Sequence, residues 1–219
     1  MSADARPTGV FGGTFDPIHF GHLRPALELR ESLGLDEVLF IPSAVPPHRD
    51  TPNLDAGTRL ELLRLAVSGQ AGFRVDDREL RRRGRSYTVD TLRSLRDELG
   101  AARPLCLLLG LDAFLGLPRW DRWRQLLDLA HVVVAHRPGW NAPSVGELGA
   151  LMRERSVHDR RTLAERPAGW IYFQGVTSLD ISATRIRSLL AAGRSVRYLL
   201  PDLVWERIQR DGLYATHAT

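Results

Sequence analysis

No lysine occurs in the 219 residues; all thirty basic residues are arginines. A biased composition suffices as the cause, yet the absence excludes chemistry. A Walker-type P-loop needs a lysine after its second glycine, and a Schiff base needs a lysine amine. Any phosphate held by this chain must be held by arginine, histidine, hydroxyls or backbone N–H groups. Arginine suits that work because its planar fork binds phosphate oxygens in pairs. Cysteine is nearly absent too. Cys106 stands alone, so no internal disulfide forms, and its place in the apolar run Pro104–Gly110 reads as a core thiol. A cytoplasmic protein is the expectation. No run of eighteen apolar residues exists to span a membrane. Met1–Pro7 lacks an apolar stretch behind a basic start, so it reads as a frayed lead-in rather than a secretory signal. That leaves residues 8–219 as one expected domain.

The charge balance is basic, with a formal net charge of +4 and a pI of about 9.9. A nucleic-acid surface would need aromatics interleaved with its basic patch. The run Arg81-Arg82-Arg83 with Arg85 offers only Tyr87 nearby, so it reads as a solvated turn and no nucleic-acid partner is expected.

What is present alternates between strand and helix. Thr8–Gly12, Glu37–Ile41, Phe73–Val75, Leu105–Leu109, His131–Ala135 and Trp170–Phe173 read as strands. Several are continuous apolar runs suited to burial on both faces. Leu23–Leu33, Asp55–Val67, Thr88–Leu99, Ser182–Ala192 and Pro201–Asp211 have helical spacing. Asp55, Thr88 and Ser182 are candidate N-caps, and Pro201 suits a first helical position. The alternation predicts an α/β fold, a Rossmann-like parallel sheet with helices on both faces. Ligands then sit at the carboxyl ends of strands, near a topological switch point. Residues 139–169 are polar and arginine-rich without a clear period, and no element is assigned there.

The strongest local signal is Gly12-Gly13-Thr14-Phe15-Asp16-Pro17-Ile18-His19-Phe20-Gly21-His22-Leu23, which follows a strand and opens a helix. Glycines let the backbone approach a phosphate, and a helix start offers free N–H groups and a positive dipole end. His19 and His22 are three apart, on one side of the first turn, and both can donate to phosphate oxygens. Asp16-Pro17 reads as turn chemistry, so Asp16 is expected to be structural. A zinc reading fails on ligand count: no HExxH and no cysteine cluster is present. The second signal is Ile181-Ser182-Ala183-Thr184-Arg185-Ile186-Arg187. Ser182 caps a helix, Thr184 lies in its first turn, and Arg187 follows three residues on. A hydroxyl, N–H groups and an arginine then converge on one anion.

GGTFDPIHFGHL and ISATRIR together resemble the paired signatures of nucleotidyltransferases with a T/HxGH motif, and most closely those of bacterial nicotinate-nucleotide adenylyltransferases. The resemblance covers nearly the whole chain. It includes Pro46-Pro47-His48-Arg49, Ser86-Tyr87-Thr88, Gly110-Leu111-Asp112, Trp120 with Trp123, and Arg137-Pro138-Gly139. It implies adenylyl transfer from ATP to nicotinate mononucleotide, with Mg²⁺ held mainly by ATP phosphates and water. Gly12, Gly13, Thr14, Phe15, His19, His22, Ile181, Ser182, Thr184 and Arg187 would bind ATP. His19, His22 and Arg187 would serve catalysis, His22 nearest the reacting centre. His48, Arg49, Thr88, Asp112, Trp120 and Arg137 would bind the acceptor. On residues alone, Asp112 reads equally as a helix cap, and Trp123 reads as core. Competing readings are another acceptor (nicotinamide mononucleotide or pantetheine phosphate), a nucleotide sensor without catalysis, and a nucleic-acid module. A class I aminoacyl-tRNA synthetase shares a similar HxGH element but needs a longer chain. A homo-oligomer is left open.

Overall fold

The computed structural model describes residues 6–45, 51–137 and 145–215. The expectations for His48 and Arg49, and for Pro138 and Gly139, lie outside the described residues. The elements, in chain order, are β1 (Thr8–Gly13), α1 (Phe20–Leu33), β2 (Val38–Pro42), α2 (Ala56–Val67), β3 (Phe73–Val75), α3 (Arg78–Arg81), α4 (Thr88–Leu99), β4 (Leu105–Gly110) and α5 (Leu111–Leu115). There follow α6 (Leu126–Leu129), β5 (His131–His136), α7 (Gly146–Arg155), β6 (Ser156–Val157), α8 (Thr162–Glu165), β7 (Ile171–Gly175), α9 (Ala183–Ala191) and α10 (Asp202–Asp211). Two 3₁₀ turns, Leu117–Arg119 and Trp123–Gln125, lie between α5 and α6.

All strand pairs are parallel, in the order β3-β2-β1-β4-β5-β7-β6. The chain leaves β1 toward β2 and β3, then returns to place β4 on the other side of β1. The connections therefore diverge at β1 and β4, and a crevice opens at their carboxyl ends. Period-two alternation sends neighbouring residues to opposite faces. Val38, Phe40, Cys106, Leu108 and Val133 join one apolar cluster, with Leu23 and Leu29 of α1 and Ile208 of α10. Val10, Leu39, Ile41, Leu107, Leu109, Val132 and Val134 join the other, with Val89, Leu92 and Leu95 of α4. Burial on both faces explains the continuous apolar runs. No helix among the described residues is long and apolar enough to cross a membrane.

Several local expectations are corrected. α1 begins at Phe20, three residues earlier than its apolar spacing indicates, because His19 takes the extended conformation that caps it. Tyr87 is the cap of α4, and Thr88 is its first helical residue. Pro201 is the cap of α10 rather than its first residue. Trp120 and Trp123 lie three apart and would share a face if their segment were one helix, which it is not. Trp120 is extended after one 3₁₀ turn, and Arg122 takes a left-handed conformation before the next. Trp123 is core, as expected. Residues 139–169 hold α7, β6 and α8, elements too short and too weakly apolar to show a period.

His131 opens β5 fully buried. Its Nε2 donates to the Arg166 carbonyl at 2.9 Å, and its Nδ1 accepts from Trp170 N at 3.1 Å. Both ring nitrogens are thus matched to the neutral tautomer, and burial pulls the imidazole down to about 4. An unfolded histidine titrates near 6.5. Between those values the unfolded chain binds the extra proton, so stability is full above about pH 6.5 and falls as pH drops toward 4. The loss attributable to His131 is about 3 kcal/mol. Urea midpoints measured from pH 7 to 4 should fall more steeply for the unmodified protein than for His131→Gln; equal slopes would remove His131 as the cause.

Candidate nucleotide site at the carboxyl edge of the sheet

Gly12 and Gly13 end β1, paired with Ile41 and Pro42. A side chain on Gly13 would meet the Phe15 ring at 2.8 Å, so glycine lets the chain fold back on that ring. Phe15 holds φ +50 and is buried, with its ring edge-on to His22 at 5.3 Å. A non-glycine residue keeps such a conformation only where its surroundings over-determine it. The Thr14 carbonyl accepts from Arg59 Nη1 at 2.6 Å.

His19 and His22 stack with centroids 3.8 Å apart. A side chain on Gly21 would meet the His19 ring and the Ile181 carbonyl, both at 2.9 Å. Gly21 is therefore the point where the first signature admits the second. His19 is 4% exposed, and burial lowers its imidazole to about 4. At neutral pH the ring is neutral and donates from one nitrogen only. Among the described residues its Nδ1 has no hydrogen-bond partner. The start of α1 is less open than expected. Phe20 N–H donates to the Leu199 carbonyl at 3.0 Å, and His22 N–H returns to the His19 carbonyl.

In the second signature Ser182 caps α9, its Oγ accepting from Arg185 N at 3.2 Å. Thr184 Oγ1 lies 3.4 Å from Arg187 Nη2, and Arg187 Nη1 donates to the Asp16 main-chain oxygen at 2.6 Å. The Arg187 side chain remains 26% exposed, with its Nη1 anchored on Asp16. Arg187 thus reaches the loop after β1 with Thr184 beside it, while the Ser182 hydroxyl is committed to its cap.

Asp16 is structural, as its turn position indicates. It is 5% exposed, and its carboxylate accepts from Asn53 N at 2.8 Å and from the Tyr214 hydroxyl at 2.7 Å. Three residues of this framework were not anticipated: Asn53, Arg59 and Tyr214. Arg59 is 1% exposed and donates to the carbonyls of Thr14, Leu54 and Ala44. Burial lowers its basicity, opposed by the nearby Asp16 charge. One signal was available: Arg59 precedes Leu62 and Leu63 by three and four residues, so it sits on the buried stripe of α2.

Of the acceptor candidates, Thr88, Asp112, Trp120 and Arg137 lie among the described residues. Ala44 N donates to Ser86 Oγ at 3.0 Å and Ser86 N to the Val45 carbonyl at 3.1 Å, tying the chain after β2 to the start of α4 and Thr88. Glu79 lies buried behind, accepting from Thr91 Oγ1, and burial raises its carboxyl. Asp112 is exposed in the first turn of α5, two residues beyond Gly110. Arg137 is exposed two residues beyond Ala135, the register partner of Gly110. Trp120 is partly buried against the α4-side core.

A cytidylyltransferase-like family model matches residues 10–189. A protein of Halorhodospira halophila named "Probable nicotinate-nucleotide adenylyltransferase" is 53% identical over 214 residues, covering 98% of both chains. Its namesake in Methylococcus capsulatus is 53% identical over 208 residues, covering 94% of this chain and 99% of its own. Among solved structures, the nicotinic acid mononucleotide adenylyltransferase of Plasmodium falciparum, complexed with NaAD, superposes with a TM-score of 0.70 over 95% of this chain and 97% of its own. At 15% identity that likeness speaks to the fold alone. With both signatures at one crevice and this similarity along almost its full length, the chain belongs to the nicotinate-nucleotide adenylyltransferases, within the cytidylyltransferase-like family.

Proposed function

We propose that the protein transfers the adenylyl group of ATP to the 5′-phosphate of nicotinate mononucleotide, giving deamido-NAD and pyrophosphate. The observation that carries this reading is the Arg187 contact to Asp16, which brings the second signature against the histidine pair at the β1 crevice. The acceptor phosphate is already an anion. It attacks the α-phosphorus in line, the bond to the β-phosphate oxygen breaks, and pyrophosphate leaves. No general base is needed, so catalysis is positioning plus charge stabilisation.

In this reading Gly12, Gly13, Thr14 and Phe15 form the floor beneath the phosphates. His19, a neutral ring, and His22 donate to phosphate oxygens, and Ile181, Ser182, Thr184 and Arg187 receive the β- and γ-phosphates. Mg²⁺ bound to ATP would supply charge neutralisation and would be held mainly by phosphate oxygens and water. Asp16, the carboxylate in the loop after β1, has both oxygens engaged by Asn53 and Tyr214. A reaction drawing on ATP fits a cytoplasmic setting. His48, Arg49, Thr88, Asp112, Trp120 and Arg137 serve the acceptor. The start of α4 offers N–H groups to a carboxylate, worth roughly 0.3–1 kcal/mol from the dipole and more when partly buried. A neutral amide gains less and brings donors toward donors.

Incubation with ATP, Mg²⁺ and each of nicotinate mononucleotide, nicotinamide mononucleotide and pantetheine phosphate should release pyrophosphate fastest with nicotinate mononucleotide. Equal or reversed specificity constants would defeat the assignment. His22→Ala should lower turnover on the order of 10²–10³, the usual cost of one preorganised donor to developing charge. Near-normal turnover in a folded variant would remove that role. Trp120→Ala should raise the acceptor KM and spare that of ATP, since offset stacking on a pyridine adds about 0.5–1.5 kcal/mol. A change confined to ATP would return Trp120 to the core.

A further inference from the structure

Behind the phosphate floor lies a polar framework that ties both signatures to residues outside them. Its centre is the Asp16 carboxylate. One oxygen accepts from Asn53, which precedes α2 and follows the segment bearing His48 and Arg49. The other accepts from Tyr214. The main-chain oxygen of the same residue accepts from Arg187. Asp16 thus connects the acceptor-side loop, the end of the chain and the arginine of α9.

Tyr214 is brought there by a built turn. α10 ends at Gly212, which holds φ +62, and Leu213 N returns to the Ile208 carbonyl, closing a Schellman motif. Tyr214 then takes φ +64, a conformation that a bulky residue keeps only when its surroundings hold it. Its phenol is largely buried and, donating to the carboxylate, stays protonated: burial and the adjacent charge both push its titration upward. Nearby charges that face it are Asp16, Arg187 and Arg59.

We propose that Tyr214 is a positioning residue for adenylyl transfer: its hydroxyl fixes the Asp16 carboxylate, and so fixes the loop whose main-chain oxygen seats Arg187. The proposal rests on the function given above. It requires that loss of one hydroxyl, 198 residues away from Asp16 in the chain, weakens the ATP side of the reaction and spares the acceptor.

The test is Tyr214→Phe in the full chain, which keeps the ring and removes the donor. Pyrophosphate release is measured well below the variant's own unfolding midpoint. kcat/KM for ATP should fall about tenfold to a hundredfold, the range for a lost hydrogen bond to a charged group, with the acceptor KM nearly unchanged. Combined with Arg187→Lys, the losses should be far less than multiplicative, since both changes act on one unit. An unaltered kcat/KM for ATP in the folded variant overturns the proposal, as do losses that multiply. If Tyr214→Phe does not fold, Asp16→Asn takes the same measurements with the same readings. Absence of pyrophosphate release by the unmodified protein would instead defeat the functional reading itself.

Discussion

Arg187 and Asp16 meet at 2.6 Å across 171 residues of chain, and that hydrogen bond joins the two signatures at the candidate nucleotide site. The first signature supplies glycines and histidines at the end of β1. The second supplies a capped helix with a hydroxyl and an arginine. Each is an ordinary local structure by itself. Joined, they set a cation, two imidazoles and a glycine floor around one crevice. Gly21 makes the junction close, because any side chain there would strike both the His19 ring and the Ile181 carbonyl.

Beneath that junction the protein buries charge and pairs it. Arg59 spends its donors on three carbonyls, and Asp16 spends its acceptors on Asn53 and Tyr214. An unpaired buried charge would cost several kcal/mol, whereas a fully paired one sets backbone positions. Two residues of this region, Phe15 and Tyr214, sit at positive φ. Each costs about 1–3 kcal/mol of local strain. The framework holds the loop in a shape that the chain would not choose alone. In the proposed reaction the donors would then be in place before charge moves.

The fold was largely legible in the sequence because its signals are local. Continuous apolar runs marked β2, β4 and β5, and Ser182 declared its cap from hydroxyl chemistry at a helix start. The signatures were legible for the same reason, being contiguous. What escaped reading depends on partners far along the chain. Arg59 matters through Thr14, Tyr214 through Asp16, and His131 through Arg166 and Trp170. Between Trp120 and Trp123, 3₁₀ turns and a left-handed Arg122 break the helical spacing that a shared face would need. The helices and strand within residues 139–169 present few buried residues; α7 buries only Leu148, Gly149 and Met152, too few to impose a period.

The central claim is direct attack by the acceptor phosphate, with His19 and His22 as donors and never as nucleophiles. It is tested most directly by ATP made chiral at the α-phosphorus, one non-bridging oxygen being replaced by sulfur in a single configuration. The product dinucleotide is then analysed for its configuration at that phosphorus. One in-line displacement inverts the centre, and inversion is the predicted result. Net retention would mean two successive displacements through an adenylyl-enzyme, most simply on one of the two imidazoles, and would contradict the account.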